Sequence, residues 1–578
     1  MNVQALCHIP YSNYAYAIND NTIQIRLRTA KGDLKKVILC YGCKFDWSEE
    51  SKKRFKMKKE YSDEFFDYYI YNIVEDDSRI GYYFELTDND GNFSIYSEIG
   101  MLDEFDDSQA YCTFFHYPMI NESDIHRTPA WIYDTVFYQI FVERFAKGKN
   151  DSEDRDYLVS WDSKPTPTSF YGGNLQGIID NIDYLAELGI NAVYLTPVFS
   201  ADSNHKYDTN DYMKVDKYFG DKDTLRKLVE HAHKRDIRIM LDAVFNHCSM
   251  NISFFQDVIN NADSPYKDWF CIDSFPVDTE KLNYKVFSFC NYMPKFNTSN
   301  PEVRKYLIDV AKYWTNECNI DGWRLDVADE VDKDFWRDFR KSIKSINKDI
   351  AIIGESWHTS LEYLRGDMYD SVMNYPVTKL ALDYFARKKI DASKFEYGLS
   401  RHLMQYGDNV NYSMLNLLDS HDTERFLTTT KNDENKLLAA VTFLFGYVGM
   451  PCIYYGTEIG MDGEYDPGCR KGFEWDSSKW NKKIFEYYKK IIDIRKKEEV
   501  LKKGDIKFNY DKKAFIMIRS YNNEKIIILC NNTDKNVEVS LAKYKKKEGS
   551  IKELIANRCL LKDNKVVIKP DGSGFYKI

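Results

Sequence analysis

The chain lacks several features that would each commit it to a class. No window of its 578 residues approaches the roughly 20 apolar residues of a membrane span, so none is expected. Met1 to Pro10 has neither a basic start nor a long apolar stretch ending in small residues, so no secretory leader is expected there. Positive charge is not in excess: the net charge is −10 and the pI is near 5.7. With lysines scattered among acids, a surface that tracks nucleic-acid phosphates has no electrostatic footprint, and a neutral substrate fits better. The short runs Lys52-Lys53-Arg54-Phe55-Lys56 and Lys545-Lys546-Lys547 read as solvated faces. The 12 cysteines have no regular spacing, which points to reduced thiols in a cytoplasmic protein. Cys40-Tyr41-Gly42-Cys43, the one close pair, lacks a second pair or nearby histidines, so buried thiols are expected and not a metal or redox site. Internal repeats and low-complexity linkers are absent.

Apolar and aromatic material is ample. A hydrophobic share of 43%, with 44 Tyr and 35 Phe, describes a folded chain long enough for several domains. Residues 1 to 122 alternate apolar and polar positions in short runs such as Thr22-Ile23-Gln24-Ile25-Arg26-Leu27, separated by turn residues such as Asp88-Asn89-Asp90-Gly91-Asn92. This predicts an N-terminal β-sandwich. From 123 to 496 apolar strands alternate with amphipathic helices. Eight strand candidates stand out: Val136–Val142, Ala192–Val198, Arg238–Phe245, Gly322–Val327, Ile350–Ser356, Ser371–Asn374, Met414–Asp419 and Pro451–Tyr455. Eight such units predict an α/β fold, a (β/α)8 TIM barrel with its chemistry at the strand C-termini. The interval 248–300 is too long for a simple loop and predicts a small inserted domain after the third strand. Alternating β texture returns over 497–578, which predicts a closing antiparallel β-sandwich.

Three acids sit at the ends of such runs: Asp326 in Gly322-Trp323-Arg324-Leu325-Asp326-Val327, Glu355 in Ile352-Ile353-Gly354-Glu355-Ser356, and Asp422 in Ser420-His421-Asp422-Thr423. A single acid at a strand end is ordinarily a helix cap or a surface charge. Three are another matter, and Arg324 lies two residues before Asp326, on the same face of a strand, where it can orient that carboxylate and keep it ionised. One carboxylate to attack, one to carry a proton and one to hold the sugar are the means of cutting a glycosidic bond with retention.

On these motifs the chain resembles the α-amylase superfamily, glycoside hydrolase family 13, along nearly its whole length. Asp242-Ala243-Val244-Phe245-Asn246-His247 is similar to the first signature of that family, Gly322 to Glu330 to the second, Glu355 to the centre of the third and His421-Asp422 to the fourth. Met293-Pro294-Lys295-Phe296-Asn297 and Asp466-Pro467-Gly468-Cys469-Arg470 resemble the neopullulanase, maltogenic amylase and cyclomaltodextrinase group. The resemblance implies Asp326 as nucleophile, Glu355 as general acid and then base, and Asp422 as holder of the sugar hydroxyls. It implies sugar-binding roles for Tyr207, Asp242, His247, Arg324, Glu330, Trp357, His421, Asp466 and Arg470. It implies α-glucan oligosaccharides or cyclodextrins as substrates, and a homodimer through the N-terminal domain. Asp329 and Ser356 depart from the group, which often has Asn and a branched apolar residue there.

Several relatives hold calcium after the first strand, but here that loop reads Lys147-Gly148-Lys149-Asn150-Asp151 and Gly172-Gly173 is followed by Asn174. Calcium takes six to eight oxygen ligands, and ammonium groups offer none, so no metal or other cofactor is expected. Two other functions stay open: an α-glucosidase acting on terminal glucose, and a non-catalytic glucan-binding protein, since barrels are reused without chemistry.

Overall fold

A computed structural model describes residues 1–149, 155–261, 263–511, 513–545 and 550–578. Asn150 and Asp151 of the candidate calcium loop, and Lys546 and Lys547 of the second basic run, lie outside the described residues.

The eight apolar runs become eight parallel strands: β1 (Phe137–Ile140), β2 (Ala192–Leu195), β3 (Arg238–Ala243), β4 (Gly322–Leu325), β5 (Ala351–Gly354), β6 (Ser371–Val372), β7 (Leu415–Leu417) and β8 (Met450–Tyr454). The strands pair in order from β1 to β6, and β8 joins β7 to β1. Between β6 and β7 a single bridge, Met373 to Leu415, and the Asn374 N–H on the Leu415 carbonyl at 2.8 Å close the ring. The first seven strands are shorter than their apolar runs because the last residues leave the ladder to form the rim, and the eighth is shifted back by one residue.

Alternation along the strands sets what the barrel holds. The inward positions nearest the strand starts are apolar: Phe137, Ala192, Met240 and Ala351 pack with Met450. Two residues further on, the same face carries Gln139, Tyr194, Asp242 and Arg324, all buried. Gly322 fits beneath this layer because a Cβ there would sit 3.1 Å from the Met240 side chain and 3.2 Å from the Ala351 carbonyl.

Helices wrap the ring with one apolar face each. Pro301–Cys318 begins on the Asn300 side chain, which accepts the Glu302 N–H at 2.8 Å, has Pro at its first position and ends on left-handed Asn319. Its buried stripe of Val303, Leu307, Val310, Ala311 and Trp314 follows the helical period. Between β3 and this helix the chain makes an excursion with one helix, Ser253–Asn260, and isolated bridges such as Phe270 to Phe296. A second, smaller excursion follows β2, a hairpin of Phe199–Ala201 and Thr209–Val215. The loop of that hairpin carries Tyr207.

The N-terminal residues form two antiparallel sheets, of four and six strands, packed through Ile25, Leu27, Leu39, Phe84 and Leu86. Arg26, fully buried, joins them to the barrel: its guanidinium donates to the Tyr406 carbonyl at 2.7 Å and pairs with Asp408 at 2.9 Å. From Asp505 to Lys577 six antiparallel strands form one sheet, in which Lys565–Lys577 pairs with three neighbours. Its buried Arg519 donates to the Gly446 carbonyl at 2.7 Å. All 12 cysteines are free. Cys40 is buried, whereas Cys43 is half-exposed and its thiol meets Asp77, so only half of that pair is the buried thiol expected.

Asp370 anchors the start of β6. Its carboxylate accepts from Arg340 and Lys344, both at 2.7 Å, and from the Ile352 N–H of β5 at 2.9 Å. Burial works against its charge, but the two cations outweigh burial and hold its pKa below the ordinary value. A depressed carboxyl contributes stability above its unfolded pKa of about 3.9 and loses it as pH falls through the folded value. Asp370→Ala leaves two cations without their partner and should cost about 3–5 kcal/mol in denaturant unfolding at neutral pH; a cost under about 1 kcal/mol would contradict this anchoring.

Candidate active site

Segments after β2, β3, β4, β5, β7 and β8 line a cavity of about 570 Å3 at the C-terminal face of the barrel. Of the residues singled out in the sequence, Tyr207, His247, Asp326, Glu330, Glu355, Trp357, Asp422, Asp466 and Arg470 line it. Three do not. Asp242 and Arg324 have fully buried side chains beneath the cavity floor, and His421 lies behind Tyr207, with ring centroids 5.4 Å apart and planes 6° from parallel. All three are held against residues that do line the cavity: Arg324 against Asp326 and Glu355, and Asp242 and His421 against Tyr207.

Arg324 is the centre. One terminal nitrogen, Nη1, donates to both oxygens of Asp242 at 3.0 Å and to Asp326 Oδ1 at 2.7 Å. The other, Nη2, pairs with Glu355 Oε2 at 2.9 Å. The side-chain sharing expected of Arg324 and Asp326 holds, and the same guanidinium brings in Glu355 from the next strand. Asp326 is thereby used on one side only: Oδ2 is buried and has no hydrogen-bond partner. His247 Nε2, 3.9 Å from that oxygen, is also buried and unpartnered.

Glu355 accepts the Val327 N–H at 3.0 Å and the Trp357 indole N–H at 3.2 Å. Val327 is left-handed, with φ 45° and ψ 46°, a strained conformation for a β-branched residue. The turn aims its N–H at Glu355 immediately after Asp326, and the following Ala328 N–H bonds the Glu355 carbonyl at 3.2 Å. Trp357 lies flat on Tyr375, centroids 3.8 Å apart, which fixes the indole.

Electrostatics follow from three carboxyls on one cation. Burial pushes the Asp326 and Glu355 carboxyls up, against the pull of Arg324; Glu355 further raises Asp326, and Asp422 further raises Glu355. Burial likewise lifts Asp242, to about 6. The pair titrates as a unit that keeps a proton to higher pH than isolated carboxyls. Burial lowers His247 to about 3, so that imidazole is neutral, and burial also holds His421 well below its usual range.

Around Asp422 the bonds fix orientation. Arg470 donates to Asp422 Oδ1 at 3.2 Å, pairs with Asp466 at 3.0 Å and donates to the His421 carbonyl at 2.8 Å. The Gln139 amide meets His421 Nδ1 at 2.7 Å. Because Tyr207 donates its hydroxyl proton to Asp242 at 3.0 Å, its oxygen accepts from His421 Nε2 at 2.6 Å, which sets the tautomer. On the opposite wall Lys295 pairs with Glu330 at 3.2 Å, and the departing residues meet each other: Ser356 donates to Asp329 at 3.1 Å.

Sequence reading missed Tyr194, whose hydroxyl donates to Asp242 Oδ2 at 2.6 Å, Gln139, and Phe287, which stacks on His247 at 4.6 Å. Gln139 could have been found as the lone amide in a buried strand. Tyr194 carried only its inward parity, and Phe287 no signal.

Side-chain and backbone contacts tie the described part of the loop after β1 to the following helix. Asn174 Oδ1 accepts the Gly148 N–H at 3.1 Å and the Gly177 N–H at 2.8 Å, while the Lys147 ammonium lies 5.9 Å over the Trp161 ring. Among the described residues no group of three or more His, Cys, Asp or Glu could hold a metal.

Residues 139–504 match the family described as alpha amylase, catalytic domain, and residues 1–121 the alpha amylase N-terminal ig-like domain. The chain is 44% identical to an intracellular maltogenic amylase of Bacillus subtilis, over 91% of this chain and 90% of that one. It is 42% identical to neopullulanase 2 of Thermoactinomyces vulgaris, over 94% and 93%. A solved cyclomaltodextrinase superposes over 100% of both chains with a TM-score of 0.93 and 40% identity.

Tyr194→Phe removes a hydrogen bond to a buried carboxylate. It should lower stability by about 1.5–3 kcal/mol in denaturant unfolding; a change under about 0.5 kcal/mol would show that Asp242 does not depend on it.

Proposed function

Since this chain belongs to the α-amylase family and is a glycoside hydrolase of its cyclomaltodextrinase, maltogenic amylase and neopullulanase group, we propose that it cuts α-1,4 links within cyclodextrins, maltooligosaccharides and pullulan, with retention of configuration. The observation that carries this reading is the sharing of Arg324 by Asp326 and Glu355, with Asp326 Oδ2 left unpartnered beside the cavity. One acid is oriented with a free lone pair and the other is held by the same fork a few ångströms away.

In this reading Asp326 Oδ2 attacks the anomeric carbon while Glu355 gives its proton to the departing glycosidic oxygen. The carbon–oxygen bond breaks and a glycosyl ester of Asp326 forms. Glu355, now a carboxylate, takes a proton from water, and the water oxygen displaces Asp326. A sugar hydroxyl in place of water gives transglycosylation, a competition that Glu330 and Trp357 would bias from the acceptor side. Asp422, set by Arg470 and His421, would hold hydroxyls of the sugar being transferred, with Tyr207 and His247 beneath and beside it. The cavity continues past Trp357 into further open space, which favours cleavage within a chain over removal of terminal glucose.

The activity is assigned no cofactor, because Asn174 Oδ1 already serves two backbone N–H groups. A homodimer through the N-terminal domain and a cytoplasmic location complete the proposal. A relative bearing the name intracellular supports the location, and no helix among the described residues is long and apolar enough to cross a membrane.

Digests of β-cyclodextrin, pullulan and starch should yield maltose, panose or glucose, released as the α-anomer, unchanged by EDTA. The solution mass should be about twice 68.2 kDa. Absence of all three products, a β-anomer, loss of activity in EDTA or a monomeric mass would each remove its part of the proposal.

Activity needs Asp326 ionised and Glu355 protonated, so it falls at low pH as the pair gains its second proton. Burial raises both groups, so the acid limb of kcat/KM should lie above the ordinary aspartate value of about 3.9. A limb below that value in a pH-rate profile would contradict the assignment.

A further inference from the structure

One ammonium outside the catalytic cavity meets residues behind its walls. Lys295, in the excursion after β3, donates to Asn246 Oδ1, to the Glu330 carbonyl at 3.1 Å and to Glu330 Oε2 at 3.2 Å, so each of its three N–H groups has an acceptor. Neither Lys295 nor Asn246 lines the cavity, whereas Glu330 does, and so does His247, the residue after Asn246. The excursion is attached here without the ammonium: the Phe296 N–H bonds the Asn246 carbonyl at 3.0 Å, and the Cys248 N–H bonds the Pro294 carbonyl at 3.1 Å. The three side-chain contacts are therefore not needed merely to attach it.

Asn246 is fully buried, and its side chain has one accepting end and one donating end. An ammonium only donates, so Lys295 takes the oxygen and turns the amide nitrogen the other way, where it lies 3.3 Å from His247 Nδ1. That ring nitrogen must accept. Since burial keeps His247 neutral, the imidazole proton is on Nε2. Nε2 stands 3.9 Å from Asp326 Oδ2, and neither atom has a hydrogen-bond partner among the described residues. In this tautomer an N–H dipole lies beside the oxygen assigned to attack. In the other, two lone pairs would meet among buried groups, where charge is poorly screened, and an ionised Asp326 would be disfavoured. Phe287, stacked on His247 with planes 19° apart, fixes the ring plane but does not choose between the tautomers.

We infer that Lys295 is a positioning residue for glycosyl transfer: through the Asn246 amide it fixes the tautomer of His247, so that Nε2–H and not a bare nitrogen stands beside the nucleophile. The inference rests on the hydrolase reading above. Glu330 holds the ammonium in place by taking its two remaining N–H groups. The other groups that face Asp326 are Arg324, Asp242, Glu355 and Tyr207, and the relay leaves them untouched.

The test is a double-mutant cycle on the full chain, read as the pH profile of kcat/KM with α-maltosyl fluoride, whose fluoride leaving group makes no sugar contact at Glu330. Lys295→Met and Asn246→Ala should each move the acid limb up by about one pH unit, a tenfold loss of kcat/KM below the limb. The double variant should move it no further, because either change breaks the same relay. Asn246→Ala keeps the ammonium, so a shift in Lys295→Met alone would be the loss of a charge and would overturn the relay. Shifts that add in the double variant, or a limb unmoved in both single variants, would overturn it as well. If Asn246→Ala does not fold, the ring 15N resonances of His247 decide, in histidine-labelled protein and assigned by their loss in His247→Gln. An accepting Nδ1 and a protonated Nε2 are expected, and the reverse pattern would contradict the inference. Failure of the unaltered chain to speed fluoride release would overturn the hydrolase reading instead, a result separable from these.

Discussion

Arg324 and the three carboxyls around it are the constraint on which the rest of the site depends. A guanidinium with no exposed surface is costly to bury, and it is tolerated because Asp242, Asp326 and Glu355 surround it. Asp242 is the structural member, saturated by Tyr194, Tyr207 and both contacts from Arg324. Asp326 is bound on one side and free on the other, whereas Glu355 is held at Oε2 by Arg324 and the Val327 N–H and at Oε1 by the Trp357 indole. One cation thus orients two acids without using up their chemistry. Three carboxyls against one cation also leave the cluster short of positive charge, so a proton is retained, which a double displacement requires of its acid.

The fold supplies this cluster through strand parity. β2, β3 and β4 each place one polar side chain inward, two residues above an apolar layer, so Tyr194, Asp242 and Arg324 meet on the barrel axis. Asp326 and Glu355 come one residue past their strands, where the backbone is free to turn. The left-handed Val327 marks that turn, and its N–H aimed at Glu355 is one return on the strain. The rim is completed by excursions: the hairpin after β2 brings Tyr207, the long segment after β3 brings Phe287 and Lys295, and the loop after β8 brings Asp466 and Arg470.

Much of this was legible in the sequence because the barrel writes itself as eight apolar runs, and because the acids sit in motifs at their ends. Arg324 two residues before Asp326 was readable from strand alternation alone. That Arg324 also reaches Glu355 was not, since it depends on the register between β4 and β5. Asp242 and His421 stand out in the signatures, but that both bond the Tyr207 hydroxyl could not be read there, since the loop of the hairpin after β2 brings Tyr207 to them. Phe287 sits in an excursion without regular structure, where sequence has no period to follow. The Ser356–Asp329 contact joins two departures from the group that are separate in the sequence and adjacent in space.

The central claim is that Asp326 Oδ2 becomes covalently bonded to sugar. The direct measurement is peptide mass spectrometry of the protein after brief reaction with a 5-fluoro-α-glucosyl fluoride, whose glycosyl-enzyme turns over slowly. The account predicts one fluoroglucosyl group, on the peptide and side chain of Asp326. A label on Glu355 or Asp422, or steady release of fluoride with no labelled carboxylate, would contradict it.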